Sequence, residues 1–455
     1  MLIIPANSAS AAGGYAVANS ARFQTASLKR SAGSKTNATK ATISMWFKRS
    51  ELVDCVLMQS YTDDSNRAYI KLLGNTFYFF DRSGGTTRNY WVSTFVLRDV
   101  SAFYHLHINI DTGNGTAANR FIVHLNGVNQ PVANFTNNAT YGSGVTSNWQ
   151  QASGTNQFTI GANESVNDQY FGGYMSEVVY LDGQVVAYDS FGEFDEDSGI
   201  WKPIDGLADL TVGNTGFYLD LEDSSDLGAD VIGSNDFTAA GLAAIDQTTD
   251  TCTNNFCTMN PLDTYNSPTI TDGNTVCNAG SSDKSMRSTI GISSGKWYWE
   301  VNTTANNSAN MGIINGEAVL TDGNSLQSVS TNSVIWEGNG GLLFKNGSSV
   351  TTAYSGGTST YGFALDLDNG TLKLSQNGTF YNSGNAVVTS ITADTYLPFF
   401  APNGGGSPTT FKANFGNPAY AISSGNADGN GHGNFEYAVP SGYYSLNTKN
   451  LAEYG

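Results

Sequence analysis

Glu193 and Asp195 stand two apart in Glu193-Phe194-Asp195-Glu196-Asp197-Ser198, so on an extended strand their carboxylates share a face. Two carboxyl groups about 5 Å apart would suit glycoside hydrolysis with retention, one as nucleophile and the other as acid. A third carboxylate would be needed at 198, where the chain has Ser, and Gly199 follows at once as in a turn. We therefore expect a solvated acidic loop and no catalysis here.

Histidine offers a second chemistry. His105 and His107 lie two apart in Tyr104-His105-Leu106-His107-Ile108-Asn109-Ile110, and His124 could face them from a neighbouring strand, which would give three imidazoles for zinc. Alternation with Leu106, Ile108 and Ile110 points instead to polar positions on the solvent side of a sheet. The fourth histidine is His432.

Cys252, Cys257 and Cys277 lie near one another in sequence, but there is no CxxC pair and no His in that stretch, so zinc is not expected. With Cys55 they read as buried or incidental thiols; a Cys252–Cys257 disulfide would need an extracellular setting. No Gly-x-Ser-x-Gly elbow and no phosphate-cradling loop is present.

Aromatic rings in polar, turn-rich surroundings are the candidates for binding. Tyr90 and Trp91 follow Gly84-Gly85-Thr86-Thr87-Arg88, Trp149 sits among Ser, Asn and Gln, and Trp336 lies on a strand that ends at Gly338-Asn339-Gly340. Aromatic faces suit sugar rings, with amides nearby to bond the hydroxyls. The competing expectation for each Trp is burial in a core.

The elements that must position these residues are strands. Only 13% of residues are charged while 12% are aromatic, with 23 Tyr, 24 Phe and 51 Gly. Aromatic residues pair well across strands, and Gly and Asn accept the positive φ of tight turns. Long runs at helical spacing are absent, so the chain reads as all-β. Strands are expected over residues 21–30, 42–49, 55–59, 68–73, 76–80, 104–110 and 120–125, with Gly74-Asn75 and Asn126-Gly127 as turns. Gly295-Lys296-Trp297-Tyr298-Trp299-Glu300-Val301 is the strongest strand. Trp297, Trp299 and Val301 should face a core, and Lys296, Tyr298 and Glu300 a wetter side.

The formal net charge is −18. Nucleic acid is thereby excluded as an expected partner, because phosphate binding needs a concentrated basic surface. No apolar run approaches the roughly 18 residues of a membrane helix, so no membrane insertion is expected. Met1-Leu2-Ile3-Ile4-Pro5 is too short for a signal peptide, which implies synthesis in a cytosol. Neither a short repeat nor a heptad shaft is evident.

The Lys-Trp-Tyr-Trp-Glu-Val strand resembles the signature strand of the SPRY domain, a β-sandwich used for binding. Residues 361–366 (Tyr-Gly-Phe-Ala-Leu-Asp), 372–378, 397–400 (Leu-Pro-Phe-Phe) and 414–416 (Asn-Phe-Gly) continue that likeness in order. Over residues 20–185 the Trp- and His-containing strands, Phe158-Thr159-Ile160-Gly161 and Tyr170-Phe171-Gly172-Gly173-Tyr174-Met175-Ser176-Glu177-Val178 resemble a laminin-G or concanavalin-A-like lectin sandwich. The fold implied is two tandem concanavalin-A-like, jelly-roll sandwiches: residues 1–245, laminin-G-like with an acidic C-terminal extension, and 246–455, SPRY-like. The acidic Glu193–Ser198 run would then follow the final strand of the first sandwich, outside its concave sheet. In laminin-G-like sandwiches a calcium ion often sits at the rim. Asp63, Asp64, Asn163, Glu164 and Asp168 supply loop oxygens of the right type. No other cofactor is expected.

Leu181-Asp182-Gly183-Gln184, Phe191-Gly192-Glu193-Phe194, Gly199-Ile200-Trp201-Lys202-Pro203, Gly216-Phe217-Tyr218-Leu219-Asp220, residues 254–262 and Thr448-Lys449-Asn450-Leu451 resemble a framework from structural proteins of tailed bacteriophages, marine ones especially. That resemblance implies a non-enzymatic virion surface protein made in the host cytoplasm. Its leading role is a tail-fibre or receptor-binding component that recognises host glycans. A capsid decoration or head fibre is the alternative, and a polysaccharide-degrading jelly roll the rival from another class. Partners would be other virion proteins and a host glycan, with homo-oligomers, trimers among them, expected.

Overall fold

The computed structural model describes residues 2–3, 14–31, 33–150, 157–163, 168–278, 283–303, 309–328, 332–338, 340–354, 356–402 and 410–455. Glu164 and Asn339 lie outside the described residues. The chain divides into two compact units, Met1–Asn255 and Phe256–Gly455.

Among the described residues of the first unit, one sheet has nine strands. Thr86–Val96, Thr76–Ser83, Asn66–Leu73, Cys55–Asp63, Gln157–Ile160 and Ser27–Ser31 run side by side through it. The facing sheet has eight strands, with Phe121–Leu125, Tyr104–Asp111, Lys40–Arg49, Gly173–Asp182 and Ser20–Phe23 in succession. Alternation explains why the two sheets adhere. Ile43, Met45 and Phe47 point inward from one sheet and Ile70, Leu72, Phe77 and Phe79 from the other, all buried in a single apolar core. The turn at residues 74–75 forms as expected, with Gly74 at φ +53° and Leu73 registered against Thr76. The expected strand at residues 21–30 is instead two strands, Ser20–Phe23 and Ser27–Ser31, broken where Thr25 takes a φ of +52°.

The second unit repeats the plan. Its sheets have seven and eight strands, and Lys296–Thr303 is paired on both sides, with Ser359–Asp366 and with Thr410–Asn414. Trp297, Trp299 and Val301 are buried in the core, and the Trp299 ring stacks on Phe363 at 5.3 Å with 3° between the planes. Of the three residues expected on its wetter side, only Lys296 is wet, with its side chain 36% exposed. Tyr298 and Glu300 are also buried, because the segment near residue 436 covers them. Glu300 Oε2 accepts from the Glu436 N–H and Oε1 from the Tyr437 N–H, each at 2.9 Å.

The division falls after Asn255, within ten residues of the boundary expected near 245, and the residues between explain where it falls. Thr248 pairs with Ser20 in the first unit's sheet. Lys48 Nζ is 2.5 Å from Asp250 Oδ2 and donates to Asn255 Oδ1 at 2.8 Å, with lysine and aspartate both buried. The Asn255 amide in turn donates to the Ser101 carbonyl. Phe256 begins the other unit, where Cys257 N–H donates to the Leu446 carbonyl. All four cysteines are free and buried, Cys252 and Cys257 included.

Candidate functional site

The candidate site lies on the outer face of the nine-stranded sheet and follows from register. Gln59 is registered against Tyr69, Tyr69 against Phe80, and Phe80 against Tyr90, so these four side chains form one row across four strands. The adjacent registers, Met58–Ile70–Phe79–Trp91, belong to the core face. Neighbouring strands lie about 4.8 Å apart, which brings rings on successive strands into contact. Ring centroids are 6.1 Å apart for Tyr69–Phe80, 6.1 Å for Phe80–Tyr90, 5.3 Å for Tyr78–Tyr90 and 6.3 Å for Tyr78–Phe80. Tyr69 is buried beneath its neighbours, whereas Tyr78, Phe80 and Tyr90 are half-buried.

Polar groups edge this aromatic platform. The Arg67 guanidinium is 5.9 Å from the centroids of both Tyr69 and Phe80, and Lys71 Nζ is 4.3 Å from that of Tyr69. Lys71 Nζ donates to Gln169 Oε1 at 2.9 Å, and Asn163 Nδ2 donates to the same oxygen at 2.9 Å. Asn163 Oδ1 accepts from Gln59 Nε2 at 3.4 Å. Burial lowers the Lys71 pKa, as does the Arg67 charge. Burial, then Tyr90 and Tyr69, push the Tyr78 hydroxyl up to about 12, so it stays a neutral donor and acceptor. Ring faces beside a line of amides and ammonium donors can stack on the C–H faces of a sugar and bond its hydroxyls.

Of the aromatic residues singled out from sequence, only Tyr90 lies here; Asn163, singled out as a calcium candidate, stands at its polar edge. Trp91, next in the chain, points the other way and packs in the core 4.5 Å from Phe135 and 4.9 Å from Phe121. Trp149 is fully buried in the same core, between Phe79 and Phe158. Trp336 is buried in the second unit, its ring 4.5 Å from Tyr361 and its Nε1 donating to the Tyr354 carbonyl. None of the three tryptophans can stack on a ligand: period-2 alternation points Trp91 and Trp336 inward from their strands, and the turn Asn148–Gln150 tucks Trp149 into the core. Tyr69, Tyr78, Phe80, Arg67 and Lys71 were missed. Their signal was an aromatic or cation at every second position of 67–71 and 78–80, legible only once neighbouring strands are registered.

The metal and acid–base candidates resolve into structural roles. Asp63 Oδ1 accepts from Ser65 N–H and Asn66 Nδ2 in the hairpin turn, and Asp64 pairs with Arg67. Asp168 forms an isolated bridge with Asn163. Among the described residues no three His, Cys, Asp or Glu side chains converge to hold an ion. The three strand histidines are not on a solvent side: His105, His107 and His124 are buried beneath the segment that follows Gly173–Asp182. Trp201 Nε1 donates to His105 Nδ1, the Val186 carbonyl meets His107 Nε2, and Tyr188 stacks on His124 at 4.3 Å. Burial holds the His107 pKa down to about 3. His107 Nδ1 and His124 Nδ1 do meet, at 3.3 Å, while His105 is taken up by Ser44 and Trp201. His432 stands in a loop of the second unit, its N–H on Asp428 Oδ1. Glu193–Phe194 pairs with Trp201–Lys202 in a separate ribbon, where Lys202 bridges both Glu193 and Asp195 and Asp195 Oδ1 accepts from Ser198.

Fold and register together define a tandem of concanavalin-A-like β-sandwiches with an aromatic platform on the first. The family model described as the Concanavalin A-like lectin/glucanases superfamily matches residues 22–186, which include every platform residue. Solved structures similar to parts of the chain include the SPRY domain of human HERC1, at 15% identity and a TM-score of 0.29 over 34% of this chain and 96% of that one. The TRIM65 PSpry domain is similar at 14% identity and a TM-score of 0.28, over 34% and 91%. A Bacteroides ovatus ATCC 8483 protein whose given name proposes carbohydrate binding is similar at 13% identity and a TM-score of 0.35, over 50% and 60%. No curated protein matches the chain.

Proposed function

We propose that the chain is a non-enzymatic carbohydrate-binding protein, displayed on a tailed-phage particle as a tail-fibre or receptor-binding component that recognises host-surface glycans. The observation that carries the binding reading is the half-buried cluster of Tyr78, Phe80 and Tyr90, packed over buried Tyr69 and beside the Gln169 amide. Its position within a lectin/glucanase-type sandwich supports the same reading. Catalysis is not proposed, because Glu193 and Asp195 are held by Lys202 in a ribbon outside both main sheets.

The phage assignment rests on the framework resemblance of residues 181–220, 254–262 and 448–451. It carries with it synthesis in the host cytoplasm, assembly with other virion proteins, and a homo-oligomeric, trimeric form.

Fluorescently labelled protein should bind host cells, and periodate oxidation of their glycans should abolish that binding. Tyr90→Ala should do the same without unfolding the protein. Periodate-resistant binding would refute glycan recognition, and steady release of reducing ends from host polysaccharide would refute the non-enzymatic reading. Immunogold labelling of particles should decorate the tail; label on the head would favour a capsid decoration.

A further inference from the structure

The charge on the platform is opposite to that of the chain. The protein carries 39 Asp and Glu against 21 Lys and Arg. Three registered rows cross the outer face: Lys29–Thr159–Gln59–Tyr69–Phe80–Tyr90, Gln157–Tyr61–Arg67–Arg82 and Val56–Lys71–Tyr78–Val92. Every charged residue in them, Lys29, Arg67, Arg82 and Lys71, is cationic. A face that selects neutral sugars places carboxylate and amide oxygens to accept from hydroxyls, whereas these rows hold amides and cations and no carboxylate.

Resting on the carbohydrate-binding reading above, we propose that this face takes an anionic polysaccharide, in which uronate carboxylates or sulfate esters recur along a chain of sugar rings. The half-buried rings of Tyr78, Phe80 and Tyr90 would carry the sugar faces. Arg67, poised over Tyr69 and Phe80, and Lys71, poised over Tyr69, would meet the anionic groups. Arg67 now pairs with Asp64, whose side chain is 82% exposed at the hairpin tip. Such an exposed pair contributes little to folding and is readily exchanged for a ligand anion. Arg82 Nε donates to the Gly85 carbonyl in the next turn. Other nearby carboxylates act at longer range, Asp168 and Asp54 on Lys71 and Asp63 on Tyr61.

The test is calorimetric binding of the full chain to a polyuronate, to its carboxyl-reduced neutral counterpart, to a sulfated galactan and to the desulfated galactan. Binding to an acidic polymer should exceed that to its neutral counterpart by about tenfold or more, the worth of one or two charge-assisted hydrogen bonds. Which acidic polymer is retained distinguishes carboxylate from sulfate. Arg67→Gln, Lys71→Gln and Arg82→Gln should each weaken acidic binding while leaving the near-ultraviolet spectrum and thermal midpoint in place. Equal affinity for acidic and neutral polymers would overturn the anionic inference and leave the carbohydrate reading standing. Binding to none would overturn both. Acidic binding indifferent to all three substitutions would overturn the assignment to this face.

Discussion

Tyr90 and Trp91 are neighbours in sequence and lie on opposite sides of one sheet, Tyr90 in the outer aromatic row and Trp91 against Phe121 and Phe135 in the core. The two residues should therefore respond differently to removal. Trp91→Ala should cost about 3–5 kcal/mol of stability, read from the urea midpoint. Tyr90→Ala should cost about 1 kcal/mol or less and act on ligand binding instead. Equal destabilisation by the two would contradict the faces assigned here.

The buried Lys48–Asp250 pair ties residues 246–255 to the first unit. Asp250→Ala leaves an ammonium ion in the interior and should cost about 3–5 kcal/mol. Replacing both partners with apolar residues, Lys48→Met with Asp250→Leu, should restore much of that loss. Chemical unfolding of the wild type, Lys48→Met, Asp250→Leu and the double variant would measure the coupling.

Glu177 occupies a bulge between Ser176 and Val179 at φ +52°, is buried, and accepts from the Tyr218 hydroxyl at 2.9 Å. Burial, with Asp220 and Glu222 nearby, pushes its carboxyl up to about 8, and burial raises Asp81 to about 6. A carboxyl that binds its proton more tightly folded than unfolded stabilises the fold below the unfolded pKa, about 4.3 for Glu. That contribution is lost as pH rises through the folded value. Buried His107, held down to about 3, and Lys35, held down to about 7, act in the opposite sense, so the readout is the comparison with Glu177→Gln: the wild-type thermal midpoint should fall relative to the variant's between pH 5 and 9. Parallel profiles for the two proteins would show the assignment wrong.

Glu300 holds the C-terminal segment onto the strand Lys296–Thr303, accepting from the Glu436 and Tyr437 N–H groups and the Tyr298 hydroxyl. Glu300→Ala orphans these donors and should cost about 3 kcal/mol, near the upper end for a buried unsatisfied group. Limited proteolysis should then cut first near residues 423–440. Unchanged protease resistance there would remove this role.

Much of the fold was legible in local pattern. The alternation in residues 296–301 marked Trp297, Trp299 and Val301 as core, and all three are. Gly74 marked a turn because only a residue at ease with positive φ closes so short a hairpin. Among the site's aromatic rings only Tyr90 was legible. Tryptophans drew attention by type, yet burial of Trp91 and Trp336 follows from which face of a sheet each occupies, and that of Trp149 from the turn that packs it between Phe79 and Phe158.

What the amino-acid sequence determined by itself was the all-β class, the ordered strands of two sandwiches and which side chains alternate. Those properties reside in neighbours one or two residues apart. What the tertiary structure alone decided was which strands lie side by side and what covers each face. Register set Tyr69, Phe80 and Tyr90 in one row, and the segments near residues 186–201 and 436 buried the histidines and Glu300. Pairing and covering join residues tens to hundreds of positions apart, and period-2 alternation says which residues share a face without saying which strand meets it or whether that face stays open.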